Sequence, residues 1–141
     1  MKKEVLISIK GIQKTEDQQD TTELFTQGQF YKRNDSYYIT YQESQATGFD
    51  GSTTILKVDR DRKVTFLRHG TARTQLVVEP GKRNIGHYGT PMGNLAIGVC
   101  AHRISSTLTD EGGELYFSYS LDINSSLISN NEVSIKVTEE R

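Results

Sequence analysis

The chain has no tryptophan, a single cysteine and two prolines in 141 residues, and no apolar run approaches the roughly 18 residues of a membrane-spanning helix. Each shortage excludes something. With Cys100 alone, no disulfide forms within the chain, and a free thiol suits a reducing cytoplasm. The first apolar stretch, residues 5–9 interrupted by Ser8, is too short for a signal peptide, so neither export nor a membrane is expected. Asn34-Asp35-Ser36 and Asn124-Ser125-Ser126 match the glycosylation pattern, but without an export signal they read as turns. An excess of one charge is missing too: 17 Lys and Arg face 18 Asp and Glu. That balance gives no general reason to expect nucleic acid or a membrane surface. It is uneven along the chain, since residues 57–103 hold nine basic and three acidic residues, a local +6 that leaves −7 for the rest. Neighbouring strands would present this as complementary sides or as an anion site.

Chemistry motifs are equally scarce. There is no Gly-x-Ser-x-Gly elbow, no Cys–His arrangement, no acid pair set by spacing and no glycine-rich phosphate cradle. His69, His87 and His102 lie 18 and 15 residues apart, which matches no compact metal-ligand spacing. No cofactor, metal or catalytic residue is therefore assigned. No ribonucleoprotein-type aromatic motif accompanies the basic middle, which argues against nucleic acid.

What the chain does have is period-two alternation broken by turn residues. Val5, Ile7 and Ile9 share one face; residues 13–21 lack periodicity and read as a loop. Residues 24–32 lead through Asn34-Asp35-Ser36 into Tyr37, Ile39 and Tyr41, a long hairpin. Gly48 and Gly51 mark a connection over residues 45–52. Thr54, Leu56 and Val58 alternate next, then Val64 and Phe66, then Leu76 and Val78, which Pro80-Gly81 ends. Leu95, Ile97, Val99 and Ala101 form a long strand, answered by Leu115, Phe117, Tyr119, Leu121 and Ile123. Ser129-Asn130-Asn131 separates these from a last strand with Val133, Ile135 and Val137. About nine strands result, joined by short connections that favour antiparallel neighbours. One apolar face per strand fits a closed sheet in a single domain, residues 1–141: an all-β antiparallel barrel of about 8–10 strands. A two-sheet sandwich satisfies the same alternation.

Two arginines break the pattern. Arg68 continues the apolar phase of Val64 and Phe66, and Arg103 that of Leu95 to Ala101. A buried guanidinium needs water, a carboxylate or a bound anion, so each either leaves at the barrel rim or holds a ligand. Tyr37, Tyr41 and Tyr119 share phase with apolar residues, whereas Tyr38 and Tyr116 face outward, where with Phe25 and Tyr31 they would suit a homodimer contact.

Several segments together resemble the uncharacterised YwiB-like family of small bacterial proteins with a calycin-like, lipocalin-like barrel. They are Thr53-Thr54-Ile55-Leu56-Lys57-Val58; Val64-Thr65-Phe66-Leu67-Arg68 with Gly70; Tyr88-Gly89-Thr90-Pro91-Met92-Gly93-Asn94; and Gly113-Glu114-Leu115-Tyr116-Phe117-Ser118-Tyr119-Ser120-Leu121, followed by Ser129-Asn130-Asn131. The resemblance spans residues 3–138 and implies the fold, with no reaction or cofactor to transfer. The lipocalin Gly-x-Trp signature is absent. In fatty-acid-binding calycins interior arginines hold a carboxylate, a part open to Arg68 and Arg103 by fold analogy. The leading expectation is a non-enzymatic cytoplasmic barrel for a small anionic or amphipathic molecule. Arg68 and Arg103 would recognise charge, and Tyr37, Tyr41, Tyr119, Phe66 and Phe117 would line an apolar interior. The alternatives are a solid structural or protein-interaction module and, third, an enzyme in which His87, Tyr88 and an acid converge.

Overall fold

Alternating strands joined by tight turns assemble the chain as a run of hairpins. The computed structural model describes residues 2–43, 51–60, 62–70, 73–90 and 93–139. Among these it places ten strands: β1 Lys2–Lys14, β2 Gln19–Arg33, β3 Ser36–Gln42, β4 Ser52–Asp59, β5 Lys63–Gly70, β6 Thr74–Val78, β7 Arg83–Thr90, β8 Gly93–Ser106, β9 Gly112–Ile123 and β10 Ser126–Glu139. Each pairs antiparallel with its sequence neighbours, and β1 pairs with β10, closing the barrel. The sandwich alternative is thereby excluded.

The turns follow from local chemistry. At Asn34-Asp35 and Asn124-Ser125 both residues have positive φ, between 51° and 69°. That conformation matches the twist of a two-residue hairpin and is tolerated best by short polar side chains. Inward positions carry the core: Val5, Ile7, Phe30, Ile39, Leu56, Val58, Val64, Val78, Val99 and Leu115 are almost wholly removed from water. At Gly86 an added Cβ would lie 2.6 Å from Leu76 Cδ2 and 2.7 Å from the Gln75 carbonyl oxygen. Glycine there lets the Leu76 side chain fill the seam between β6 and β7, which share only two register pairs.

Two sequence expectations change. Residues 13–21 are mostly strand, because β1 and β2 stay paired out to Lys14↔Gln19 through backbone bonds that need no apolar alternation. Ser129-Asn130-Asn131 lies inside β10 rather than before it, since the chain reverses at Asn124-Ser125 and a bulge between Leu127 and Ser129 restores the phase. Most of the 45–52 connection, residues 45–50, lies outside the described residues, as does the Pro91-Met92 pair.

Candidate functional site

The barrel has two unlike ends. At the end where β1 begins and β10 finishes, the β8–β9 connection folds across the opening. Leu108 packs on the core there, Tyr37 Oη donates to Asp110 Oδ1 at 2.8 Å, and Lys3 Nζ donates to the Asp110 carbonyl at 2.7 Å. Tyr37 also stacks on Phe30, with ring centroids 5.1 Å apart. Burial, reinforced by the Asp110 hydrogen bond, pushes its hydroxyl up to about 12. Tyr37 is therefore part of a plug and does not line the interior space.

At the other end no described residue closes the interior. A cavity of about 640 Å³ runs inward from it, within the range of small-molecule sites. Cross-strand register stacks its wall in rows. Nearest the plug stand Val58, Val64 and Val78; above them come Ile39, Leu56, Phe66 and Leu76. The next row is polar: Tyr41↔Thr54↔Arg68↔Thr74↔Tyr88, one residue from each of five consecutive strands. Across the space, Phe117, Tyr119 and Leu121 of β9 and Ser129 and Asn131 of β10 complete the lining. Leu95 and Ile128, each 39% exposed, stand at the mouth.

Arg68 does point inward, and it meets an acid that the sequence pattern did not single out. Glu43, just beyond β3, lies 3.4 Å from its guanidinium, and the two side chains are only 1% and 10% exposed. Thr54 ties them together: its hydroxyl donates to Glu43 at 2.7 Å and accepts from Arg68 Nε at 3.4 Å. The guanidinium also lies 4.9 Å from the Phe66 ring centroid, a cation–π distance. Three tyrosine hydroxyls sit within the field of this pair. Burial raises Tyr41, with Glu43 adding to the effect and Arg68 opposing it. Burial likewise raises Tyr88 and Tyr119, again against Arg68. All three stay protonated at neutral pH and can both donate and accept hydrogen bonds.

Arg103 does not join them. A bulge between Ala101 and Arg103 puts His102 and Arg103 both on the outside, and Ile104 resumes the inward phase. Arg103 instead lies 5.7 Å from the ring centroid of Tyr116 on the outer face. Of the expected lining residues, Arg68, Tyr41, Tyr119, Phe66 and Phe117 surround the cavity, while Tyr37 and Arg103 do not. Sequence reasoning missed Glu43, Thr74, Ser129 and Asn131. Thr54 was visible as a polar residue in an inward phase and was the available signal. His69, His87 and His102 are all exposed, so His87 and the inward Tyr88 occupy opposite faces of β7 and cannot act together. Among the described residues no group of three His, Cys, Asp or Glu is placed to hold a metal ion. No helix among them is long and apolar enough to cross a membrane.

Comparison with known proteins adds the following. The family model described as "Domain of unknown function (DUF1934)" matches residues 7–135. The uncharacterized beta-barrel protein YwiB of Bacillus subtilis (strain 168) is 25% identical over 119 residues, covering 84% of this chain and 82% of that protein. The crystal structure of the ywiB protein from Bacillus subtilis superposes with a TM-score of 0.87 at 20% identity, covering 99% of this chain and 94% of that one. At that identity the likeness carries the fold.

Proposed function

Because the chain belongs to the DUF1934 family, whose description names no activity, we propose a function from the barrel itself: a non-enzymatic binding protein that holds one small amphipathic molecule inside. The observation that carries this is the hollow interior, apolar in its depth and polar where Tyr41, Glu43, Arg68 and Tyr88 line it. Proteins close-pack their interiors, and an apolar-lined space of this size reached from one end is the usual form of a small-molecule site. An apolar body would enter first and lie against Leu56, Phe66, Leu76, Ile97 and Phe117, leaving its head at the polar row. The calycin likeness belongs to this reading, since calycin barrels hold ligands in the same internal space. So does a cytoplasmic setting, on the free thiol of Cys100.

Native mass spectrometry of protein recovered from cells should show a retained small molecule. An uncharged fluorophore such as 1-aminoanthracene should brighten in the emptied barrel, and Ile97→Trp, which narrows the space, should weaken the signal while the fold persists. An empty protein that brightens no probe would sink the proposal.

A second reading, an interaction module, draws on Phe25, which is 80% exposed on the outer face of β2, with Leu6 of β1 46% exposed on the same face. A homodimer through this face would dissociate on Phe25→Ser. Sedimentation that finds only monomer at high concentration would exclude it.

A further inference from the structure

The next step rests on the binding reading and narrows it to a class of ligand. An arginine inside an apolar barrel suggests an anionic guest, but the charges around Arg68 oppose one. Its guanidinium is already held by Glu43, whose side chain is 1% exposed. A ligand carboxylate that took Arg68 for itself would displace Glu43 and leave that acid buried without its cation, the costly way to break a buried pair. A ligand carboxylate added beside the pair would lose its hydration and meet a second negative charge where water screens poorly.

The remaining charges do not help an anion either. Besides Arg68 and Glu43, the charged residues lining the cavity among the described residues are Asp20 on β2 and Glu132 on β10, both acids. Glu132 accepts from Tyr116 at 2.6 Å and lies 3.8 Å from Lys14 at the outer edge. Glu132 is thus engaged on the outer face, so the described lining offers a ligand Glu43 and the exposed Asp20 as acids and Arg68 as its one cation. What the polar lining does present is hydrogen-bonding groups: the hydroxyls of Tyr41, Tyr88 and Tyr119 and the Asn131–Ser129 pair, while Thr54 and Thr74 are buried within the wall. Such a surface matches a head that both donates and accepts without carrying charge.

We infer that the cavity selects an amphipathic molecule with an uncharged hydrogen-bonding head, such as an alcohol or an amide, and that Glu43 sets this selectivity by engaging Arg68. Glu43 is thus a specificity-determining residue. Glu43→Gln keeps the shape of the side chain and an oxygen for Thr54 and Arg68, but removes the negative charge beside the arginine. The same barrel should then accept carboxylates.

The test is displacement of 1-aminoanthracene by 1-decanol and by decanoate, at neutral pH and below micelle formation. In the wild-type protein decanol should displace the probe at concentrations at least about tenfold lower than decanoate. In Glu43→Gln the order should reverse. Decanoate should also raise the Tm of Glu43→Gln and not that of the wild type, a readout that works even on a marginally folded variant. The double variant Glu43→Gln/Arg68→Met, without either charge, should keep decanol and reject decanoate. Decanoate binding the wild type as well as decanol does, or an unchanged order in Glu43→Gln, would overturn the inference while leaving the binding reading standing. Failure of the probe and both competitors to bind would remove the two together.

Discussion

At the scale of single residues, phase along a strand is the signal that found Arg68, and the same signal misplaced Arg103. Both arginines follow apolar residues at a spacing of two, but only β8 carries the bulge that turns its arginine outward. A bulge costs one residue of register and leaves no mark in composition, so Arg103 could not be placed from its neighbours. Glu43 was hidden for a different reason. It continues the inward phase of Ile39 and Tyr41 but lies just past the end of β3, and only the folded chain brings it to a residue 25 positions away. The pair makes a sharp stability prediction. Arg68→Met should cost about 3–5 kcal/mol in urea denaturation, because buried Glu43 loses the guanidinium beside it, whereas Arg68→Met with Glu43→Leu should recover most of it. The tyrosines predict the alkaline limb. Tyr37, Tyr41, Tyr88 and Tyr119 are all raised above the ordinary tyrosine value, so folding favours their protonated forms. That contribution is complete below about pH 10 and is lost as pH climbs through the folded values, about 12 for Tyr37. Tm should hold level up to about pH 10 and then fall steeply, and Tyr119→Phe should flatten the fall.

At the scale of elements, the strands were legible wherever one face was apolar, as in β4, β5, β8 and β9. They were not legible in the outer reach of the β1–β2 arm. There Gln13, Lys14, Gln19 and Asp20 are all exposed, and backbone pairing holds the strands. The start of β10 was misread because Ser129 and Asn131 look like turn residues, yet both are buried and Asn131 Nδ2 donates to Ser129 Oγ at 3.0 Å. Burial with a satisfied partner makes them part of a wall. The true turn carries strain that can be relieved. Ser125 has φ 69°, a conformation costing a non-glycine residue about 1 kcal/mol, so Ser125→Gly should raise stability by about that amount in chemical denaturation. An unchanged or lower midpoint would mean that other turn contacts outweigh the relief.

At the scale of the whole molecule, barrel class and antiparallel order were legible because nearly every strand alternates and nearly every connection is short. Hollowness was not, since the same apolar residues line a space or fill it depending on how far apart closure holds them. Closure is made by β1 against β10, with Val5 opposite Glu139 and Lys14 opposite Asn130. The first strand is therefore also the last to be completed on one side. During synthesis β1 emerges long before β10, and until then the growing sheet is an open trough with an unsatisfied edge. Capacity to hold a guest should arrive abruptly as the final hairpin clears the ribosome. A series of stalled nascent chains should show probe brightening only once β10 is fully exposed, with no graded gain from β4 through β9.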